Sequence, residues 1–248
     1  MSKYNYGWKP DLPDNRDFLL QKIARKQISK LPKKVDLRKK MPLLFDQGEL
    51  GSCTANAISS LMTYEMPIEK RRVFSRLFIY FNERQIEHTI NSDSGAQIRD
   101  GIKSVSKIGC CPEDSWPYII SKFRIKPTNS CYAEGMKNIV TLYSRVPRDL
   151  NSMKSLLANK KAFVFGFSVY ESFESDSVAK TGVLNLPKPN EKLLGGHAVM
   201  CVGYNDKTSR FIIRNSWGDM WGNKGYFTMP YEYLLNENLS DDFWSITI

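Results

Sequence analysis

The chain has 248 residues, 42% hydrophobic and 25% charged, the make-up of a globular protein with core enough to fold without staples. No run approaches the roughly 20 apolar residues that span a bilayer, and the N-terminus MSKYNYGWKPDLPDNRD lacks the apolar core of a secretory signal, so no membrane partner and an intracellular or virion-associated location are expected. The net charge is +10, but residues 1–34 carry nine Lys or Arg against three Asp, leaving only +4 on the other 214 residues, so a nucleic-acid partner is not expected.

Residues 1–34 read as an extension. They hold Trp8, Pro10, Pro13 and Pro32, a short stretch from Phe18 to Ile23 with helical character, and the basic run Lys22 to Lys34. A segment so basic and proline-punctuated is not expected in a core. The body begins near KKVDLRKK, at residue 35.

Three helices follow. CTANAISSLMTYEM places Ala57, Ile58, Leu61 and Met62 at helical spacing, with Ser52 available to cap it and Pro67 to stop it. FSRLFIYFNERQIEHT aligns Phe74, Leu77, Phe78 and Phe81, and IRDGIKSVSKIG ends at Gly109. The second half changes character: AFVFGFSVY, HAVMCVGYN, RFIIRNS, GYFTM and DFWSITI are short, β-branched or aromatic, and separated by turn residues. Only NSMKSLLANK interrupts them as a clear helix. Helices first and strands second predict an α+β chain, with a helical lobe over about 35–140 and a β-rich, barrel-like lobe over about 141–248.

Three local patterns carry chemistry. In DQGELGSCTANA a polar loop enters an apolar helix with Cys53 at the junction, where backbone N–H groups and the helix dipole stabilise a thiolate. A cysteine at a helix start is also commonly structural. In GGHAVMCVGY, His197 opens a buried strand after Gly195 and Gly196; it is either a core histidine or a general base whose flanking glycines leave room for substrate backbone. In RNSWGDMWGNKGY, Asn215 either starts a turn or accepts from imidazole Nδ1–H and holds the ring with Nε2 facing the thiol, while Trp217 covers that bond. The other histidine, His88, reads as a solvated surface residue. Of the five cysteines, Cys201 reads as a buried small hydrophobe; Cys110, Cys111 and Cys131 can include one disulfide, with reduced thiols favoured.

Cys53, His197 and Asn215 occur in that order, separated by 144 and 18 residues. Here the chain resembles the papain-like cysteine peptidases, the family of papain and the cathepsins, over nearly the whole body from Val35 to Ile248. VDLR, QGELGSC, GCCPEDSWPY, GHAV, NSWG and WGNKGYF carry the resemblance; SDSGAQIRDG, SRLFIYFNER and FGFSVYESF are similar to a bacterial and viral branch that includes the xylellain-type enzymes. The resemblance implies a papain-like fold with the cleft between the lobes, and hydrolysis of peptide bonds in protein or peptide substrates through a thioester acyl-enzyme. It implies Cys53 as nucleophile, His197 as general base and acid, Asn215 orienting His197, and Gln47 with the Cys53 backbone N–H as oxyanion hole. It also implies substrate binding at Gly95, Gly196 and Trp217, and apolar preference in the main specificity pocket. No metal or organic cofactor is called for.

Two departures stand out. Leu50 and Ser92–Gly95 lack the cysteine pair of many secreted members, and Thr54 replaces the aromatic residue that usually follows the nucleophile. The extension is too short for the usual helical prodomain. Trp8 and the prolines suit a zymogen-like strap over the substrate groove; the competing reading is a disordered basic tail. Two rival functions remain in view, a silent binding or inhibitory module on the same scaffold and transglutaminase-like acyl transfer, the latter generally using Asp as third member where this chain has Asn215.

Overall fold

The computed structural model describes residues 4–14, 17 and 31–248. The stretch from Phe18 to Ile23 lies outside them, as does most of the run from Lys22 to Lys34. In chain order the regular elements are β1 (Trp8–Lys9), β2 (Lys34–Asp36), α1 (Cys53–Glu65), α2 (Arg76–Ile86), β3 (Ala96–Gln97), α3 (Ile98–Ile108), α4 (Asn129–Gly135), β4 (Leu142–Arg145), α5 (Leu150–Ala158), β5 (Phe163–Tyr170), α6 (Asp176–Thr181), β6 (Leu193–Asn205), β7 (Arg210–Arg214), β8 (Tyr226–Pro230), α7 (Tyr231–Leu235) and β9 (Ser240–Thr247). The architecture is α+β, as the sequence predicts: α1, α2 and α3 pack on one another, and a seven-stranded sheet fills the second half.

Helix α1 is the central strut. Every residue from Cys53 to Tyr64 is buried, so it has no solvent face. Its Ala, Leu and Met residues suit a helix. Ser52 does not cap it through its side chain; the hydroxyl is 2.6 Å from Tyr118 Oη instead and accepts from Asn56 Nδ2 at 3.0 Å. The cap is given up because Ser52 ties the nucleophile loop to a neighbouring segment. Helix α2 is capped by Ser75, whose Oγ accepts from the Phe78 N–H, and Gly109 closes α3 with φ 63°.

The sheet runs in the order β4-β9-β5-β6-β7-β8, and β2 pairs with β6 off that path. All pairings in it are antiparallel. In β5, Phe163, Phe165 and Phe167 alternate onto one face and pack with Phe243, Phe173, Phe227 and Tyr233. The 13-residue strand β6 is buried from His197 to Tyr204 and packs against α1. That contact brings the helix carrying Cys53 against the strand carrying His197.

The N-terminal segment departs from expectation. Trp8 is only 9% exposed and belongs to the core, because a hydrogen-bonded slot in the β lobe accepts its ring. Strand β1 pairs parallel with β3, in the register Trp8 with Ala96 and Lys9 with Gln97. Beyond it, Asp11 and Asp17 meet Arg99 and Arg145: Arg145 reaches Asp11 at 3.1 Å and Asp17 at 2.9 Å, and Arg99 pairs with Asp17 at 2.5 Å. Acidic residues thus anchor a segment whose bulk charge is basic. His88 lies just past the end of α2 with φ 59° and is exposed, as its sequence context predicts. All five cysteines are buried free thiols.

Candidate active site

Cys53 opens α1 and is fully buried. Nearby backbone groups of Ala198, Gly7 and Thr54 favour its thiolate, yet burial outweighs them and pushes the thiol up to about 11. Ala198 follows His197 on β6, so the sulfur lies against the strand that carries the histidine. Gly7 belongs to the N-terminal segment, which therefore touches the candidate nucleophile itself.

His197 is also fully buried, and burial lowers its imidazole to about 4, with the Asn215 hydrogen bond opposing the shift. Its Nε2 lies 2.8 Å from Asn215 Oδ1. The sequence reading assigned Nδ1 to this bond; the structure reverses the two nitrogens, because the ring enters from β6 with its Nε2 edge toward the end of β7. Asn215 Oδ1 also accepts from the Ser216 N–H at 2.9 Å, which identifies it as the amide oxygen and puts the proton on His197 Nε2. Among the described residues the buried Nδ1 has no hydrogen-bond partner, an acceptor kept unused inside the site. Trp217 stacks on the ring, centroids 5.0 Å apart.

Gln47 is buried beside these residues. Its Oε1 accepts from Ser216 Oγ at 2.6 Å, and its backbone N–H donates to the Ser216 carbonyl at 2.9 Å. Its Nε2 donates to the Leu50 carbonyl at 2.9 Å and reaches the Asn5 carbonyl at 3.4 Å. A donor of the kind an oxyanion needs therefore has a peptide carbonyl of the chain's own N-terminus in front of it.

The segment Tyr4–Lys9 fills the cleft by close backbone contact. The Gly7 carbonyl accepts from the Ala96 N–H at 2.7 Å. A Cβ on Gly7 would fall 1.7 Å from the Gly51 carbonyl oxygen, and one on Gly95 would fall 2.1 Å from that of Gly7. Only glycines permit this approach. Tyr4 stacks on Trp217 and Tyr6 stands edge-on to His197 at 6.0 Å, its hydroxyl donating to Glu174 at 2.5 Å.

The structure brings Cys53, His197, Asn215, Gln47, Gly95, Gly196 and Trp217 to one place, with residues 4–9 laid over them. Sequence reasoning missed several partners: Ser216, which holds Gln47; Asp242, which accepts from Trp8; and Glu83, fully buried beneath the nucleophile loop and accepting from Thr54 Oγ1 at 2.6 Å. Ser216 was within reach, inside NSWG; the other two depend on contacts between distant segments. Burial drives the Glu83 carboxyl well above its ordinary range. A cavity of about 390 Å³, lined by Lys34, Arg38, Arg210 and Tyr226 among others, opens elsewhere on the β lobe and includes none of the candidate site residues. Among the described residues no cluster of His, Cys, Asp or Glu is arranged to hold a metal ion, and no helix is long and apolar enough to cross a membrane.

A helical lobe and a β lobe that bring a thiol at a helix start together with an amide-held imidazole define the class of papain-like thiol peptidases. The family model described as papain family cysteine protease matches residues 31–238, and the chain belongs to that family. Over 98% of its length it is 43% identical to an uncharacterized peptidase C1-like protein of Acanthamoeba polyphaga mimivirus, of which it covers 86%. It is 28% identical to chymopapain of Carica papaya, matching 87% of this chain and 58% of that protein. Among solved structures it is similar to xylellain, a cysteine protease from Xylella fastidiosa, with 44% identity, a TM-score of 0.90 and coverage of 98% of this chain and 96% of that one. The fold is shared with procathepsin L 3 of Tenebrio molitor at 15% identity and a TM-score of 0.72, over 98% of this chain and 76% of that one.

Proposed function

We propose that this papain-family protein hydrolyses peptide bonds with Cys53 as nucleophile and His197 as its proton acceptor and donor, and that residues 4–14 are a built-in strap that holds the enzyme closed. The observation that carries the reading is the unused His197 Nδ1. With Nε2 fixed on Asn215, one imidazole nitrogen remains, buried and without a partner among the described residues, beside Ala198, whose backbone favours the Cys53 thiolate.

In the closed state both groups are neutral, since the thiol titrates near 11 and the imidazole near 4. Displacing the strap admits water and removes the desolvation that drives both shifts, so a proton moves from Sγ to Nδ1 and each charge then stabilises the other. The thiolate attacks the substrate carbonyl carbon. The resulting oxyanion takes the Gln47 Nε2–H, now free of Asn5, together with the Cys53 backbone N–H. His197 Nδ1–H then protonates the leaving amine, and water, deprotonated by the same nitrogen, releases the acid from the thioester. Asn215 keeps the ring's orientation through the cycle, and Trp217 shields the Asn215 bond from solvent. Gly95 and Gly196 leave room for substrate backbone, which competes with the strap for the same wall.

The test is hydrolysis of fluorogenic peptide amides under reducing conditions by the full chain and by Cys53→Ala. Turnover that disappears in Cys53→Ala and on treatment with an epoxide thiol-protease inhibitor supports the peptidase. A Cys53 that alkylates no faster than a free thiol, even in variants with a loosened strap, would sink it and favour a silent binding module.

A further inference from the structure

Trp8 sits in a slot that spans three neighbouring strands of the β lobe. A Cβ on Gly166 of β5 would fall 1.9 Å from its Cε2, and a Cβ on Gly196 of β6 would fall 2.6 Å from its Cε3. Two glycines set diagonally on one face of paired strands, Gly166 against Ala198 and Ser168 against Gly196 in the register, make a flat recess that a planar ring fills. At its floor the indole Nε1–H donates to Asp242 Oδ2 at 2.9 Å.

Asp242 reaches that floor through a backbone irregularity. The pairing of β5 with β9 slips between Val164 and Gly166, and Asp242 holds φ 57°, a conformation rare outside glycine. Such a residue re-aims a side chain out of the regular pleat, here into the slot. Its two oxygens are divided. Oδ1 is held by Arg145, within the body, at 3.1 Å. Oδ2 takes the Trp8 indole and the Asp11 backbone N–H, the latter at 2.8 Å, and both belong to the N-terminal segment. When that segment leaves, Oδ2 faces the recess with both donors gone.

Granting the peptidase reading above, we infer that this slot is a specificity site for tryptophan in peptide substrates, with Asp242 Oδ2 as the acceptor of the ring N–H and Trp8 as its intramolecular stand-in. Arg145 holds Oδ1 at 3.1 Å and burial disfavours a full charge on this carboxyl, so Oδ2 offers a hydrogen bond rather than a strong pull on a cation. The recess between Gly166 and Gly196 fits a flat ring better than a lysine or arginine chain. Phenylalanine would fill it only in part and leave Oδ2 desolvated without a donor, the situation in which a hydrogen-bonding site discriminates most strongly. The expectation of a simply apolar pocket is thereby sharpened to an apolar slot with one polar end.

The experiment uses the full chain carrying Trp8→Gly, which empties the slot. Indole and benzothiophene, alike in shape but differing in the N–H, are compared by thermal shift titration, a readout that needs no catalysis. Indole is expected to bind roughly tenfold more tightly, with the preference lost in Trp8→Gly combined with Asp242→Gly, a residue suited to the left-handed backbone, and kept in part with Asp242→Asn. Equal binding of the two ligands, or a preference that survives Asp242→Gly, overturns the assignment. On the same variants, peptide amides bearing tryptophan or naphthylalanine at each of three positions before the scissile bond are expected to show the same preference at one position. Ligand discrimination without any turnover overturns the peptidase reading; turnover without discrimination overturns the specificity site.

Discussion

Tyr4 lies flat on Trp217, ring centroids 3.7 Å apart and planes 6° from parallel, and the same Trp217 ring covers His197 at 5.0 Å. The N-terminal segment therefore grips the side chain that shields the candidate base. Its contacts continue through Asn5 at Gln47, Gly7 at Cys53 and Ala96, and Trp8 at Asp242.

Loosening that grip is expected to expose the thiol. An aromatic pair contributes about 0.5–1.5 kcal/mol beyond its burial, so Tyr4→Ala should speed alkylation of Cys53 by roughly three- to tenfold, read by peptide mapping at a fixed pH. Gly7→Ala should act more strongly, because its Cβ would fall 1.7 Å from a backbone oxygen of Gly51 that has no rotamer to yield. An alkylation rate unmoved by Gly7→Ala, in a protein with unchanged circular dichroism, would count against the strap.

The pH dependence of that alkylation should differ between closed and loosened forms. With the strap seated, burial holds the thiol near 11 and the imidazole near 4, so both are neutral across the physiological range and reactivity should climb only toward strongly alkaline pH. In Gly7→Ala the rise should begin at a lower pH, as the thiolate–imidazolium pair forms in water. Superimposable profiles would show that the strap does not set the charge state.

Kinetics should separate the two supporting side chains. Gln47→Ala removes an oxyanion donor and should lower kcat by roughly a hundred- to a thousandfold, about 2.7–4 kcal/mol, with little change in KM. Asn215→Ala leaves the His197 ring unanchored; losing a buried hydrogen bond of about 1–3 kcal/mol should lower kcat/KM by roughly five- to a hundredfold. Steady-state measurements on one substrate decide both, and a Gln47→Ala enzyme of undiminished kcat would remove Gln47 from the mechanism.

Asp242 gives stability a pH dependence of defined sign. Burial, and after it the charge of Asp11, raises its carboxyl from 3.8 to about 7. The folded protein thus keeps a proton that the unfolded chain has released. This contribution is complete below pH 3.8 and is lost as pH rises through about 7. Asparagine cannot titrate, so the melting temperature of the wild type relative to Asp242→Asn should fall between pH 4 and 7 and level off above. A flat difference would mean that Asp242 stays ionised in the folded state.

Much of this molecule was legible before its coordinates. Cysteine at a polar-to-apolar junction, two glycines before a histidine, and NSWG at a strand end are local patterns, and each marks a position where backbone and chemistry meet. The helices at Cys53, Arg76 and Ile98 and the strands at Phe163, Arg210 and Tyr226 follow from periodicity and from bounding turn residues. Less legible were β2 and β4, of three and four residues, too short for any periodic signal and formed because a neighbouring strand offers an edge.

What the amino-acid order determined by itself is the inventory: an α+β chain, a thiol at a helix start, and an imidazole and an amide spaced to meet it. These depend on backbone preferences that act within a few residues. Tertiary structure decided which imidazole nitrogen faces Asn215, where the Ser52 hydroxyl goes, and that a basic, proline-rich segment places a tryptophan in the core. It also decided that a slipped register at Gly166 aims Asp242 into the slot beside it. Each of these outcomes is a competition between groups far apart in sequence, resolved by which partner the packed lobes bring within hydrogen-bond reach.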